Sequence, residues 1–386
     1  MIGFEYYNPA KIVFGEGSAN KLKELLKQYG TRSLLLIYSG DFIKELGIYQ
    51  IIRNAVNELG IGFIENGDVV PNPDIELVRK LVKEGKENKV DFILAVGGGS
   101  SIDTAKASAL GIPYEGDVWD FFKDGISPDS VLPVGVIATT ASSGSETSNA
   151  AILSNGEWKL GFEDDRIIPR FAIMDPAYTV NLPWYQTAVG IADVLSHLLE
   201  RYFSDVKNSD TTDYLIEGAI KALLLNAGRL IEDSTDINAR AEIQWLASVA
   251  HNNFLDAGRN ADWGSHRIEH ELSAQYGITH GEGMAIVTTA WIKYISKVNP
   301  WRPALLATRV FNVDSYDYPE EERAFILADR LKEFYKRLGL ATTLTELNIG
   351  TEDFDKMAGR ATRNGEVGHY HPLNAEKIKA ILELAV

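Results

Sequence analysis

The sequence contains no cysteine, which excludes disulfides and every metal site built on thiolates. A metal bound by this chain would therefore need nitrogen and oxygen ligands. Basic residues are also scarce, with 38 Lys and Arg against 54 Asp and Glu and a formal net charge of -16. This balance disfavours nucleic acid or an anionic membrane as a partner, since both require a basic surface. An anionic ligand must instead be held locally, by backbone N–H groups or a few placed cations.

Targeting and membrane-spanning patterns are absent as well. The opening stretch, MIGFEYYNPAKIVFG, lacks a basic segment followed by an apolar core, and no run of 18 apolar residues occurs. We therefore expect a cytoplasmic protein. Hydrophobic residues make up 45% and charged residues 24%, which is typical of a globular protein, and 386 residues suffice for two domains.

Short apolar runs alternate with amphipathic segments in the first half of the chain. DFILAV (residues 91–96) is the clearest strand, SLLLIYSG (residues 33–40) is another, and a helical pattern covers residues 42–59. Such alternation predicts a parallel sheet covered by helices. Beyond residue 183 the pattern is helical throughout. The sequence therefore predicts an α/β domain over residues 1–180 and an all-α domain over residues 181–386.

A glycine triplet follows the clearest strand and precedes a helical segment. Gly97, Gly98 and Gly99 would let the backbone approach a ligand closely, and Ser100 adds a hydroxyl. A helix N-terminus offers free N–H groups to an anion, so phosphate or pyrophosphate is the natural guest. The triplet does not match G-x-G-x-x-G, and the alternative is a tight turn that binds nothing.

Two further polar loops follow predicted strands. TTASSGSE (residues 139–146) follows one strand, and YSGD (residues 38–41) ends another. Loops at the carboxyl ends of parallel strands line the ligand crevice of an open sheet, so we expect one extended nucleotide there, with solvated loops as the alternative. Asp41 would favour a free ribose 2′-hydroxyl, whereas Ser39 and Gly40 would admit a 2′-phosphate, so the pattern is ambiguous.

Histidines and a carboxylate recur at helical spacing in the second half. Asp193 and His197 are four residues apart, as are His266 and His270, so each pair shares a helix face. His280 follows ten residues later, beside glycine. A carboxylate with several imidazoles is a ligand set that Fe²⁺ or Zn²⁺ accepts.

The segment HRIEH also fits the H-x-x-E-H pattern of a class of zinc peptidases. In that alternative both histidines would bind zinc, and Glu269 would be the general base. The first domain would then be an unexplained nucleotide-binding unit. Short fixed patterns also arise often by chance.

Taken together, GGGSSIDTAK, TTASSGSE, DVLSH and H-x-x-x-H followed by His-Gly resemble the iron-containing (group III) alcohol dehydrogenases. The resemblance is greatest to their NAD(P)H-dependent butanol dehydrogenase and aldehyde reductase branch, and it covers nearly the whole chain. It implies a Rossmann-like dinucleotide-binding domain followed by an all-α metal-binding domain. It also implies hydride transfer between NAD or NADP and a small primary alcohol or aldehyde, and a homodimer.

The resemblance assigns site residues one by one. It implies that the metal ligands are Asp193, His197, His266 and His280. Its cofactor contacts fall on Ser39, Gly40, Asp41, Asn72, Gly97, Gly98, Gly99, Ser100, Asp103, Thr139, Thr140, Ser143 and Lys159. His270 matches a histidine beside the metal that is not a ligand. We expect it to be catalytic and to relay the alcohol proton, with a structural role as the alternative, and we expect Glu269 to be solvated or paired.

The sequence departs from the family pattern at three places. Thr279 stands where the family commonly has proline, TTASSGSE replaces TTAGTGSE, and YSGDF replaces the YGGGS of the NADP-preferring branch. The last change leaves the choice between NAD and NADP open. Alternatives of the same two-domain plan are a glycerol-dehydrogenase-like polyol oxidoreductase and a dehydroquinate-synthase-like lyase.

Overall fold

The computed structural model describes all 386 residues, Met1–Val386. The strands are β1 (Lys11–Phe14), β2 (Ser33–Tyr38), β3 (Gly62–Asn66), β4 (Phe92–Gly97), β5 (Val134–Ala138), β6 (Ala150–Asn155), β7 (Trp158–Glu163) and β8 (Phe171–Met174). The α-helices are α1 (Leu22–Gln28), α2 (Phe42–Glu45), α3 (Ile48–Leu59), α4 (Ile75–Glu87), α5 (Gly99–Gly111), α6 (Trp119–Asp124), α7 (Trp184–Tyr202), α8 (Asp210–Glu232), α9 (Ile237–His251), α10 (Gly264–Tyr276), α11 (His280–Val298), α12 (Trp301–Arg309), α13 (Glu320–Leu338), α14 (Phe354–Ala361) and α15 (Ala375–Glu383).

The chain forms two compact units. The sheet unit comprises Tyr7–Leu182 and Thr235–Asn252, and the helical unit comprises Met1–Tyr6, Pro183–Ser234 and Asn253–Val386. The division predicted at residue 180 would assign Thr235–Asn252, which contains α9, to the helical part. In the structure this segment packs within the sheet unit, where the Gln244 side-chain amide donates a hydrogen bond to the Ala138 carbonyl at 3.3 Å.

The main sheet of the sheet unit has six parallel strands in the order β1-β8-β5-β4-β2-β3. Within it, β3-β2-β4-β5-β8 follows the 2-1-3-4-5 order of doubly wound folds. The strand order reverses between β2 and β4, and ligands of such sheets bind at the carboxyl ends of the strands that flank this point. The predicted α/β fold class is therefore confirmed.

Alternate side chains of the central strands enter two separate cores. Leu34 and Leu36 of β2 pack with residues of α1 and α3 on one face, whereas Leu35 and Ile37 pack with residues of α4 and α5 on the other. Both faces are covered, which explains why these strands read as continuous apolar runs rather than as alternating ones.

Local structure departs from the sequence prediction at three points. The helix predicted over residues 42–59 is divided into α2 and α3 at Gly47, whose φ of 73° is left-handed. The edge strand β1 was not predicted, because its four residues are too few to carry a pattern. The hairpin β6–β7 was also missed; it turns at Gly156, and its strands are only half apolar.

The helical unit is organised around α7. Every residue from Thr187 to Tyr202 is buried, and a helix covered on all sides occupies the centre of its unit. Helix α11 packs against α7, α10 and α13. The structure contains no helix that is both long enough and apolar enough to cross a membrane.

Candidate metal and cofactor sites

Helix α7 supplies the first two predicted metal ligands. Asp193 and His197 are one turn apart and are both buried, because α7 is enclosed on all sides. Their side chains share a face, as the spacing predicts, and Nδ1 of His197 lies 3.8 Å from Oδ1 of Asp193.

Helix α10 supplies the third. It begins after Trp263, whose φ of 61° lies in the left-handed region that bulky residues seldom adopt. The Trp263 N–H donates to Oε2 of Glu200 at 2.7 Å, and its ring meets that of His266 edge-on at 5.1 Å between centroids. These contacts hold the first turn of α10, so that the His266 ring stacks on that of His197 at 5.0 Å.

His280 is the first residue of α11, and close packing brings it to α7. A Cβ at Gly281 would collide with the Val189 carbonyl, so only glycine allows α11 to start this near to α7. Val189 lies one turn before Asp193. As a result, Nε2 of His280 is 3.6 Å from Oδ1 of Asp193.

The resulting group has the dimensions of a cation site. One ligand atom from each of Asp193, His266 and His280 lies within 4.8 Å of the others. Ligand atoms about 2.1 Å from a tetrahedral cation are about 3.4 Å apart, close to the 3.6 Å between His280 and Asp193. His197 is not in this group, although its Nδ1 lies 3.8 Å from Oδ1 of Asp193. Nε2 of His266 is buried and makes no hydrogen bond. These observations fit a divalent ion held by nitrogen and oxygen ligands.

Two buried glutamates each contact Nδ1 of one of these histidines. Nδ1–H of His266 donates to Oε1 of Glu200 at 2.8 Å, and Nδ1 of His280 contacts Oε2 of Glu269. Burial raises the pKa of Glu200, but hydrogen bonds from His266 and Ser265 outweigh it and hold this pKa below its ordinary value.

Sequence reasoning missed Glu200 altogether. The available signal was its position seven residues after Asp193, which places both on one helix face. For Glu269 the choice was between solvated and paired; it is fully buried and paired.

His270 lies beside two of the predicted metal ligands, His266 and His280. Its ring centroid is 5.6 Å from that of His280 and 6.5 Å from that of His266. Together with Glu269 and His280 it forms a second group of side chains whose spacing could hold a metal ion, and this group shares His280 with the first. His270 is half-buried, whereas His266 is buried.

The glycine triplet stands at the carboxyl end of β4, as predicted. Gly97 has a φ of 146°, and Gly98 caps α5, which begins at Gly99. A Cβ at Gly98 would lie 2.6 Å from the hydroxyl of Thr140, and one at Gly99 would lie 2.7 Å from that of Ser143. Neither position has room for a side chain, and a glycine bend at the start of a helix is the kind of site that holds phosphate.

Hydrogen bonds connect the loop after β5 to the end of β4 and to α5. Thr139 N–H donates to the Gly97 carbonyl at 3.1 Å. Asp103 accepts hydrogen bonds from Ser145 Oγ at 2.6 Å and from the Ile152 N–H at 3.1 Å. Lys106 is fully buried and donates to Ser145 Oγ and to two carbonyls of the following segment, and burial lowers its pKa to about 8. Lys106 was not singled out from the sequence.

The other predicted cofactor residues lie after β2, before α4 and on β7. Ser39 bridges to Asp68 after β2, and Gly40 is left-handed. Asp41 is largely exposed and forms a 2.6 Å ion pair with Lys44. Asn72 is left-handed and precedes α4, and Lys159 is buried on β7.

Comparison with known proteins now identifies the family. The model described as iron-containing alcohol dehydrogenase matches residues 9–176, and the model of the C-terminal part of the same family matches residues 187–386. The chain belongs to the iron-containing alcohol dehydrogenase family.

Relatives of this family match over their whole length. NADH-dependent butanol dehydrogenase A of Clostridium acetobutylicum is 38% identical, with 99% of each chain covered. NADPH-dependent aldehyde reductase YqhD of Escherichia coli is 30% identical, with 100% of each covered. The crystal structure of NADH-dependent butanol dehydrogenase A from Thermotoga maritima has a TM-score of 0.95 at 35% identity and covers 100% of this chain and 99% of its own.

Membership of the iron-containing alcohol dehydrogenases confirms the predicted oxidoreductase class and the predicted two-part fold. The comparisons do not favour a peptidase or a polyol oxidoreductase. The structure also separates HRIEH from the peptidase pattern, because the buried Glu269 carboxylate is paired with His280.

Proposed function

We propose that this alcohol dehydrogenase interconverts small primary alcohols and aldehydes, such as butanol and butyraldehyde, using NADH or NADPH and one divalent metal ion. The observation that carries the proposal is the convergence of one carboxylate and imidazoles from α7, α10 and α11. The names of the relatives, which include NADH-dependent butanol dehydrogenases and an NADPH-dependent aldehyde reductase, support the substrate class.

We assign the metal to Asp193, His197, His266 and His280. The set contains no thiolate, and Fe²⁺ or Zn²⁺ suits three imidazoles with one carboxylate. A cation held there would supply Lewis acidity for the substrate oxygen, and a bound nicotinamide would supply or accept the hydride. Asp193 contributes the one charged ligand, so the occupied site keeps a net positive charge toward that oxygen.

His270 is proposed to relay the proton of the alcohol. Its ring neighbours His280 at 5.6 Å between centroids without belonging to the group around Asp193. It is half-buried, so a proton could pass from it to water. An imidazole can both accept and donate a proton, as general acid–base catalysis requires.

The cofactor is proposed to bind at the carboxyl edge of the sheet. Its pyrophosphate would accept hydrogen bonds from the N–H groups of Gly98, Gly99 and Ser100 at the start of α5. The hydroxyls of Thr139, Thr140 and Ser143 would extend this site, and Asn72, Gly97, Asp103 and Lys159 would support it. Asp103 would act chiefly by holding Ser145, since both of its oxygens already accept hydrogen bonds.

We propose NADH as the preferred cofactor. Ser39, Gly40 and Asp41 follow β2 at the strand-order reversal, where the adenosine ribose would lie. The Asp41 carboxylate would repel a 2′-phosphate but accept a hydrogen bond from a free 2′-hydroxyl. The NADH dependence named for two relatives at 35% identity or more agrees with this choice.

We also propose that the protein is a homodimer and that it acts in the cytoplasm, where reduced nicotinamide cofactors are available. β1 is an edge strand of the main sheet and has a free edge. Tyr7, which precedes β1 in the same unit, is exposed, and a second copy would cover this edge. Light scattering on the eluting protein tests this directly: twice the mass of 42.7 kDa supports a dimer, and a monomer mass contradicts it.

One assay tests the proposed activity. Purified protein, Zn²⁺ or Fe²⁺, butyraldehyde and NADH are mixed, and the absorbance of reduced nicotinamide is followed. We expect a steady decrease that stops when a chelator removes the metal. Absence of any change with every aldehyde and alcohol tried, in protein that binds both metal and NADH, would contradict the proposal.

A further inference from the structure

We propose that Glu200 and Glu269 are positioning residues that each hold one metal-binding histidine in the tautomer and orientation required for coordination. Glu200 acts on His266, and Glu269 acts on His280. The inference rests on the metal site proposed above and extends it to two residues that do not touch the cation.

The chemistry of imidazole links the two ring nitrogens of a histidine. A neutral histidine carries one ring N–H, and a carboxylate can only accept a hydrogen bond. A histidine whose Nδ1–H donates to a glutamate must therefore present a lone pair at Nε2. Histidines that bind metals commonly have such a carboxylate partner, which fixes the ring and raises its basicity.

The geometry at His280 meets this requirement. Nδ1 of His280 contacts Oε2 of Glu269, while Nε2 faces Asp193 at 3.6 Å from Oδ1. Glu269 is fully buried, and its other oxygen accepts a hydrogen bond from the Ser273 hydroxyl. A Cβ at Gly283 would lie 2.7 Å from Oε1 of Glu269, so α11 leaves space for this carboxylate.

The geometry at His266 is the same but more extensive. Oε1 of Glu200 accepts hydrogen bonds from Nδ1–H of His266 at 2.8 Å, from its backbone N–H at 2.9 Å and from the Ser265 hydroxyl at 2.6 Å. Oε2 accepts one from the Trp263 N–H at 2.7 Å. Nε2 of His266, the nitrogen left for a cation, is buried without a hydrogen bond.

This arrangement assigns separate roles to the histidine and the glutamate of the HRIEH segment. Glu269 is three residues after His266 on α10, yet its partner is His280 on the next helix. It is neither a general base nor a ligand of the group around Asp193. One helix thus supplies a ligand to the site and the carboxylate that orients a second ligand.

The experiment for Glu269 uses metal affinity rather than activity. Glu269→Ala and Glu269→Gln are compared with Glu271→Gln, a buried glutamate of α10 that pairs with Arg360 at 2.6 Å instead of a ligand. Zn²⁺ affinity is measured by chelator competition, and the Co²⁺-loaded protein is examined by absorption spectroscopy.

We expect Glu269→Ala to weaken Zn²⁺ binding about 10- to 100-fold. Glu269→Gln should recover most of this loss, because its carbonyl oxygen still accepts from His280 and its amide can donate to Ser273. Glu271→Gln should match the parent. Parent-like affinity in Glu269→Ala overturns the role of Glu269. So does a Glu269→Gln variant that binds as weakly as Glu269→Ala with an altered Co²⁺ spectrum, because Glu269 would then be a ligand.

The same substitutions at Glu200 should behave differently, because Oε2 accepts from the Trp263 N–H and Oε1 from the N–H groups of His266, and neither donor can become an acceptor as the Ser273 hydroxyl can. An amide at this position would turn its NH₂ toward a donor, so Glu200→Gln and Glu200→Ala should both lose Zn²⁺ affinity about 10- to 100-fold. The control is Glu217→Gln, a buried glutamate that bonds Tyr202 and Arg309. Circular dichroism verifies folding, and a folded Glu200 variant with parent-like affinity overturns the role of Glu200.

The parent protein separates this inference from the proposed function. A parent that binds no divalent ion contradicts the metal site itself. A parent that binds one ion tightly, with unchanged affinity in folded Glu269→Ala and Glu200→Ala, contradicts only the positioning roles.

Discussion

Gly281 lies against the main chain of Val189, at a point where a Cβ would collide with the Val189 carbonyl. Val189 is one helical turn before Asp193, and Gly281 follows His280 directly. This single close contact therefore sets the distance between two proposed metal ligands on different helices.

Replacing Gly281 by alanine should push the start of α11 away from α7. We expect Zn²⁺ affinity to fall at least tenfold and the free energy of unfolding to drop by about 1–3 kcal/mol, as for an overpacked core. Chelator competition and denaturant unfolding measure both. Gly218→Ala, at an exposed position of α8 with open space around it, is the control and should be neutral or slightly stabilising. Unchanged metal affinity in Gly281→Ala would show that the contact does not position His280.

Removing the metal should destabilise the protein as well as inactivate it. A ligand that binds only the folded state stabilises it by about 2.7 kcal/mol at 100 times its Kd. We therefore expect the melting temperature to fall on treatment with chelator and to recover with Zn²⁺ or Fe²⁺, measured by calorimetry. A melting temperature indifferent to metal would argue against the site.

His280 and His270 should differ in what their loss removes. His280→Ala should abolish bound metal and activity together. His270→Ala should keep metal but slow turnover about 10²- to 10⁴-fold, the usual contribution of a general acid–base group. Metal analysis and steady-state rates distinguish the two variants, with the exposed His369 replaced by alanine as the control. Loss of metal in His270→Ala would identify it as a ligand.

The glycine bend should be intolerant of any side chain. In Gly98→Ala the new methyl group would meet the Thr140 hydroxyl, and it would occupy the space proposed for phosphate. We expect NADH affinity, followed by nicotinamide fluorescence, to fall more than tenfold while metal content stays unchanged. Gly62→Ala, whose added methyl group makes only ordinary contacts, should bind like the parent. Parent-like binding by Gly98→Ala would place the cofactor elsewhere.

Asp41 should decide between the two nicotinamide cofactors. The parent should bind NADH at least tenfold more tightly than NADPH, and Asp41→Asn should narrow this ratio by removing a charge from beside the 2′-phosphate. Glu45→Gln, an exposed acid four residues away, controls for general charge effects. Equal affinities of the parent for both cofactors would mean that Asp41 does not face the ribose.

Local sequence features predicted much of this architecture. The apolar runs that become β2, β4 and β5 and the glycine triplet before α5 were recognisable because strands, helices and turns depend on neighbouring residues. The spacing of Asp193 with His197 placed both on one face of α7, and the motifs in series identified the family. The assignment of individual ligands and cofactor contacts stays a prediction.

Other features depended on contacts between residues distant in the chain. Nothing near Thr235–Asn252 indicates that α9 packs within the sheet unit, and nothing in HRIEH indicates that Glu269 faces His280. A buried glutamate has the same sequence signature as a solvated one, because its state depends on which helix covers it. The sequence therefore determined the family, the fold class and the candidate ligands. Only the tertiary structure decided which carboxylates contact the candidate histidine ligands.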